Sequence, residues 1–215
     1  MNSRIPFNGR RWFPAAFFVV LLMTVLALLP VLPSLLSDRQ FYGLRLDLAA
    51  APLADADRSP AVPPEQGLAV VSFGYQSWGT VCPVQRTNLL ALQQRLAGKS
   101  VRFVFVTLDP ERDSRQRLDQ VMLAMGPMFT AVRPESGAAA RQLSAQYNDY
   151  AHRSGQGDNY ELDHSAHLHV VSSRGRREVL YTSPDLDLDR VTEDLNRLLS
   201  DQQNTLSAID QAPVK

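Results

Sequence analysis

The sequence predicts a single α/β domain carried behind one N-terminal transmembrane helix. Three observations predict it: an uncharged apolar run near the N-terminus, short apolar runs that read as buried strands, and helical spacings of leucine and methionine between them. At 215 residues the chain accommodates one ordinary globular domain plus appendages, not two comfortable domains. Its 22 basic and 22 acidic residues cancel, which removes the electrostatic argument for nucleic acid or an acidic substrate. The lone cysteine, Cys82, leaves no intramolecular disulfide and no multi-thiolate zinc site.

From Trp12 to Ser37 no side chain is charged, and Ala15–Leu29 is nearly all Phe, Val, Leu, Met and Ala. Roughly 20 helical residues cross a bilayer, so this run is long enough to span. Arg4, Arg10 and Arg11 precede it and Asp38 follows. The bias puts the N-terminus in the cytoplasm and the rest of the chain on the periplasmic side of the inner membrane. A cleaved signal peptide would have an apolar region of about 7–15 residues closed by a small-residue site. The nearest such pattern, Ala49–Ala51, lies well downstream. An uncleaved, single-pass anchor is therefore expected, with Pro30 and Pro33 kinking or ending the helix near the outer interface. The expected organisation is residues 1–37 as cytoplasmic stub and anchor, 38–66 as a linker with a short first strand, 67–199 as the folded domain, and 200–215 as a flexible tail.

Within the domain, Phe41–Leu46 reads as a short strand and the Ala-, Pro- and Asp-rich stretch Ala49 to Gln66 as a loop. Leu68–Phe73 and Val101–Leu108 are apolar runs, as expected of strands covered on both faces. Between them, Leu89, Leu92 and Leu96 recur at helical spacing before Gly98. Leu118, Val121, Met122 and Met125 mark a second helix, Phe129–Val132 a third strand, and Ala138–Tyr147 a third helix with Ser136 as its N-cap. Ala166–Val171 and Glu178–Thr182 flank Ser173-Arg174-Gly175 as a hairpin, and Leu188–Leu199 closes the domain as an amphipathic helix. Strand–helix–strand, helix, hairpin and terminal helix is the order of a thioredoxin-like domain. The hydrophobic pattern alone supports α/β without choosing among α/β sandwiches.

The segment Val71-Ser72-Phe73-Gly74-Tyr75-Gln76-Ser77-Trp78-Gly79-Thr80-Val81-Cys82-Pro83 runs from a buried strand into a helix start. There a thiol meets the positive end of a helix dipole, which favours thiolate. Three short motifs follow in order: Phe73-Gly74-Tyr75 with Cys82-Pro83, then Asp109-Pro110-Glu111-Arg112-Asp113, then Asp163-His164-Ser165-Ala166. Together they resemble the Sco/SenC family, over about Phe41 to Leu199. The resemblance implies a thioredoxin-like fold and copper binding by a C-x-x-x-C pair and the D-H-S-A histidine. It also implies copper delivery to cytochrome oxidase, or thiol redox chemistry beside it. By position the second cysteine is Cys82 and the histidine is His164, while Trp78 stands where the family has its first cysteine. Cys82 and His164 would then make a two-coordinate Cu(I) site, or a weak Cu(II) site completed by a third ligand. An internal dithiol–disulfide cycle is impossible with one thiol.

Each candidate also has a plainer reading. His167 and His169, at i and i+2, share one strand face. They point together toward the metal site as a bidentate pair, or together along a semi-exposed sheet face. Asp163 either orients His164 as a supporting carboxylate or serves a turn. Cys82 could be only a small buried hydrophobe. Trp78 either stacks over a bound cation or plugs the pocket, the latter being the more ordinary use. Met122, Met125 and Met128 form a soft-donor stripe in spacing, but belong more naturally to a core face. Asp109 and Asp113 are expected to order the turn rather than act as acid and base.

Three functions compete. The first is a copper-binding assembly factor with a copper-oxidase subunit, or another periplasmic copper or thiol protein, as partner; this is a metallochaperone rather than an enzyme. The second is a degenerate relative that keeps the fold and binds a partner without metal. The third is a single-cysteine thiol oxidoreductase, against whose peroxidase version stands Gly79 where a T-x-x-C pattern needs threonine.

Overall fold

The computed structural model describes residues 13–28, 41–76, 83–157 and 159–210. The chain divides into two units, residues 1–40 and 41–215. In the first unit, α1 (Phe13–Leu28) is a 16-residue helix of almost wholly apolar sequence. Phe17, Phe18, Leu22 and Met23 are all exposed, so the apolar surface runs around the helix rather than along one face. Sixteen residues rise about 24 Å, short of the ~30 Å hydrocarbon layer. Among the described residues no helix is long and apolar enough to cross a membrane. Residues 29–37 of the expected span lie outside the described residues.

The second unit contains β1 (Leu44–Ala49), β2 (Leu68–Gly74), α2 (Pro83–Arg95), β3 (Val101–Thr107), α3 (Arg115–Met125), β4 (Phe129–Val132), α4 (Gly137–Gln146), β5 (Ala151–Gln156), β6 (Asn159–His164), β7 (Leu168–Ser172), β8 (Arg176–Tyr181) and α5 (Leu188–Asp210). Six strands form one sheet in the order β1-β8-β7-β2-β3-β4, and β5 and β6 form a separate ribbon. The β2, β3 and β4 strands run parallel, whereas β7 lies antiparallel to β2, and β8 and β1 continue antiparallel.

Every residue of β2 is buried, because it is paired on both edges and covered on both faces. Leu68 and Val70 face Leu89 and Leu92 of α2, Leu118 and Met122 of α3, and Leu195 of α5 in one core. Ala69, Val71 and Phe73 face Ala140 and Leu143 of α4, with Tyr147 and Leu162, in the other. Met122 and Met125 are thus core residues, and Met128 packs against the same core. Ser136 caps α4 as expected, accepting from the Ala139 N–H at 3.2 Å. Gly175 turns the β7–β8 hairpin at φ +68°, a left-handed conformation that an L side chain resists.

Four expectations change. The first strand is Leu44–Ala49 rather than Phe41–Leu46, because Asp194 holds the preceding backbone. Its carboxylate accepts from the N–H groups of Tyr42 and Gly43 at 3.1 and 3.0 Å and from the Tyr181 hydroxyl at 3.1 Å. Residues 41–66 are part of the domain and not a linker: Leu53 is buried, and Asp55 pairs with Arg115 and accepts from the Arg133 N–H. Short polar anchors, invisible to periodicity, do this. The terminal helix runs past Ser200 to Asp210, with Gln202 buried and accepting from the Ser173 hydroxyl at 2.8 Å. The β5–β6 ribbon was not foreseen. Gly157, at φ +63°, follows β5 into its turn, and Gly155, at φ +96°, lies within β5 opposite Tyr160.

Candidate metal centre

Parallel strands deliver their following loops to one edge of the sheet. Gly74, the last residue of β2, sits in register with Thr107, the last of β3. The loop after β3 carries Asp109-Pro110-Glu111-Arg112-Asp113, and its carboxylates are all committed to structure. Asp113 accepts from the Thr107 hydroxyl at 2.6 Å and from the Gln76 N–H at 3.0 Å. The Thr107 oxygen in turn accepts from the Asp109 N–H at 3.0 Å. Asp109 takes the Tyr160 hydroxyl at 2.5 Å and pairs with Arg112, whose guanidinium lies 3.7 Å over the Tyr160 ring. Glu111 accepts from the Gly137 N–H at the start of α4. Burial pushes the Asp113 carboxyl up, and burial with the Asp109 bond pushes the Tyr160 phenol up to about 12. The motif is a brace that fixes the backbone on either side of the sheet edge, the turn-ordering role expected of Asp109 and Asp113.

His164 ends β6, and its ring lies beside the end of β2. Its Nδ1 is 2.8 Å from the Ser165 carbonyl oxygen. A carbonyl only accepts, so Nδ1 is the donor, and in the neutral ring the lone pair is on Nε2, the tautomer a metal ligand needs. The ring meets Tyr75 edge to face at 5.8 Å. A Cβ on Gly74 would stand 3.0 Å from Phe105 Cε2 and 3.7 Å from His164 Cε1, so a side chain there would press on the Phe105 ring and just touch the imidazole. Asp163 does not orient this ring. It is exposed on β6 in register with His152, and the Ser165 carbonyl does the orienting instead. Successive strand residues point to opposite faces, which is why the neighbouring carboxylate misses.

Cys82 and Trp78 lie outside the described residues. The residues that flank them in sequence reach the histidines: Tyr75 packs edge to face against His164, and Gln85 of α2 contacts the His167 carbonyl at 3.5 Å.

His167 and His169 do share a face, but it is not a semi-exposed one. His169 is fully buried opposite Val71 of β2, packed edge-on against Phe73 and Tyr147. Both rings converge on Asp149, a residue the sequence reading missed. His169 Nε2 lies 3.1 Å from Asp149 Oδ2, and His167 Nδ1 lies 3.3 Å from Oδ1. Burial holds the His169 imidazole below its ordinary range, against the opposing pull of the Asp149 bond. The only local hint of Asp149 was its place just after a helix, behind Asn148, which adopts φ +59° to make the turn.

Comparison with known proteins agrees with this architecture. The SCO1/SenC family model matches residues 64–200. An SCO2-like protein of Rickettsia felis is 25% identical over 113 residues, 51% of this chain and 55% of the relative. The match thus spans about half the length of that curated relative. The solution structure of apo Sco1 from Thermus thermophilus superposes with a TM-score of 0.61 at 29% identity, covering 74% of this chain and 97% of that one. Copper-bound ScoI of Arabidopsis thaliana gives 0.57 at 19% identity over 73% and 98%, a likeness of fold alone. With the family model covering well over half of its residues, and the braced sheet edge and the histidine both in place, this chain belongs to the SCO1/SenC family.

Proposed function

We propose that this protein is a membrane-anchored copper-binding assembly factor that assists copper insertion into a respiratory copper oxidase. The observation that carries the reading is His164. Its Nδ1 is occupied by a backbone carbonyl, its Nε2 makes no hydrogen bond among the described residues, and its ring lies against Tyr75, which precedes the segment leading to Cys82. A thiolate and a neutral imidazole together suit Cu(I). Copper here is cargo. A site with one thiolate rather than two holds it less tightly, which suits transfer to an acceptor with a fuller ligand set. Solved relatives carry bound copper, and one is described as a member of the Sco family of cytochrome c oxidase assembly proteins.

The apolar, all-round exposed surface of α1 supports anchoring, with the N-terminus in the cytoplasm and the domain on the periplasmic side. The partner is a copper-oxidase subunit, or another periplasmic copper or thiol protein that exchanges the ion.

The test is a Cu(I) titration of the full chain in mild detergent against a competing chromogenic chelator. One equivalent should bind. Cys82→Ala should abolish that binding and His164→Ala should weaken it. Equal binding by Cys82→Ala and the parent would refute the ligand set. Trp78 at the first-cysteine position favours a second reading, a scaffold that binds its partner without metal. That reading expects no Cu(I) binding but retained association with the oxidase subunit.

A further inference from the structure

Among the described residues, Asp149, His167 and His169 form a cluster that His164, the proposed copper ligand on β6, does not enter. One ligand atom from each lies within 4.8 Å of the others. The Asp149 side chain is fully buried, and among the described residues its ion-pair partners are these two imidazoles alone. The nearby cation, Arg177, directs Nη1 to the Tyr147 carbonyl and Nη2 to the Asn148 side chain rather than to Asp149. Asp149 Oδ1 and His167 Nδ1, 3.3 Å apart, are both buried, and neither has a hydrogen-bond partner among the described residues. Orphaned buried polar atoms are costly, and facing one another they leave a vertex that a cation would satisfy.

A purely structural Asp–His pair needs one imidazole, and His169 already supplies it at 3.1 Å. His167 turns to the same carboxylate without making a hydrogen bond, which a structural role leaves unexplained. The support beneath the three groups is rigid. The Asp149 N–H donates to the Ser144 carbonyl, and the Ser144 hydroxyl donates back to the Asp149 carbonyl, each at 3.0 Å. His169 is held in the middle of the sheet between β2 and β8. The His167 side chain is about one-fifth exposed while those of Asp149 and His169 are fully buried, so His167 is the member of the cluster nearest solvent.

We infer that Asp149, His167 and His169 form a second, thiol-free binding site for a divalent first-row transition ion. Two imidazoles and one carboxylate are the donor set of open zinc sites and of facial-triad sites, with the remaining positions left to water. The absence of sulfur favours Cu2+, Zn2+, Ni2+ or Co2+ over Cu(I). The site would hold an oxidised or redox-inert ion, in contrast to the Cu(I) proposed for Cys82 and His164.

The test separates the two sites. The full chain carrying Cys82→Ala and His164→Ala together is titrated in mild detergent with Zn2+ against a chromogenic chelator, and with Co2+ by visible absorption. One equivalent of each should bind, and the Co2+ spectrum should show d–d bands without thiolate charge transfer. Adding His167→Ala or Asp149→Asn should weaken Zn2+ binding by about 100-fold or more, since loss even of outer partners to a ligand costs 10- to 100-fold. Circular dichroism checks that both variants remain folded; His167→Ala, at a half-buried position, is the variant least able to disturb the core. Zn2+ should raise the melting temperature of the Cys82→Ala, His164→Ala chain and leave that of the His167→Ala version unmoved. Absence of saturable Zn2+ and Co2+ binding overturns the inference. So does binding that His167→Ala and Asp149→Asn leave unchanged. Neither result bears on Cu(I) at Cys82 and His164.

Discussion

The Asp113 carboxylate accepts from the backbone N–H of Gln76 at 3.0 and 3.2 Å, joining the loop after β3 to the last described residue before the Trp78–Cys82 segment. The first motif is therefore held in place by the second. Asp113→Ala removes the acceptor for both Gln76 and the Thr107 hydroxyl in a buried setting, which costs about 1–3 kcal/mol for each group left unpaired. Chemical denaturation should show a loss in that range, and Cu(I) affinity should fall with it because the backbone leading to Cys82 is no longer fixed. Unchanged stability would mean the brace carries no weight.

The same carboxyl makes a pH prediction. Burial raises its folded pKa above the unfolded value. Its stabilising contribution is therefore complete below the unfolded pKa, near 3.9, and is lost as pH rises through the folded pKa. Asp113→Asn cannot titrate and stays neutral throughout. The deficit of this variant relative to the parent should be largest at about pH 3.5 and should shrink toward neutrality. Urea denaturation of both proteins across that range checks it, and a deficit that grows with pH would contradict the assigned direction.

Asp194 ties the start of the domain to its last helix. Three donors, the N–H groups of Tyr42 and Gly43 and the hydroxyl of Tyr181, end on one carboxylate that is almost wholly buried. Asp194→Ala should destabilise the domain by about 1–3 kcal/mol or more. Hydrogen exchange should show β1 losing protection before β2 and β3 do, since the freed segment leads directly into that edge strand. Uniform loss across the sheet would argue against a local anchor.

How much of this was legible in the sequence follows from which interactions are local. β2 and β3 announced themselves because full burial writes a continuous apolar run, and the β7–β8 turn did so through Gly175. His164 could be placed because a local motif carries it. The partners of His167 and His169 could not. Asp149 lies twenty residues from His169, and only the packing of α4 against the sheet brings its carboxylate to the strand. The segment holding Leu53 and Asp55 read as a linker for the same reason. Its anchors, Arg115 and Arg133, are about sixty and eighty residues away, and composition records the alanines and prolines but not the ion pairs.

The anchor is the next prediction. The uncharged run bounded by Arg11 and Asp38, with α1 inside it, should remain attached to the mature protein. Protease added to spheroplasts should digest the domain, and mass spectrometry of the membrane fraction should recover the N-terminal peptide. A mature chain starting near Ala49–Ala51 would refute the anchor.

Trp78 bears most directly on what the protein does, since it stands where a second thiolate would complete a C-x-x-x-C pair with Cys82. If the rest of the scaffold still shapes a copper site, Trp78→Cys should tighten Cu(I) binding, because it adds a soft, charged donor beside Cys82 and His164. It should also allow an internal disulfide on mild oxidation, read as the loss of two free thiols in a labelling assay. The two Cα atoms must then approach within about 4.4–6.8 Å, which tests the loop geometry directly. Replacing a large aromatic can itself cost about 3–5 kcal/mol when the ring is buried, so melting curves must accompany the binding data. The outcome divides the two readings of function. A stable Trp78→Cys protein with tighter Cu(I) binding or a new disulfide means the braced edge around Gly74, Tyr75 and His164 remains a working metal scaffold from which only one donor is missing. A stable Trp78→Cys protein with neither means the site has changed beyond that residue, and the protein then acts through its partner surface rather than through copper.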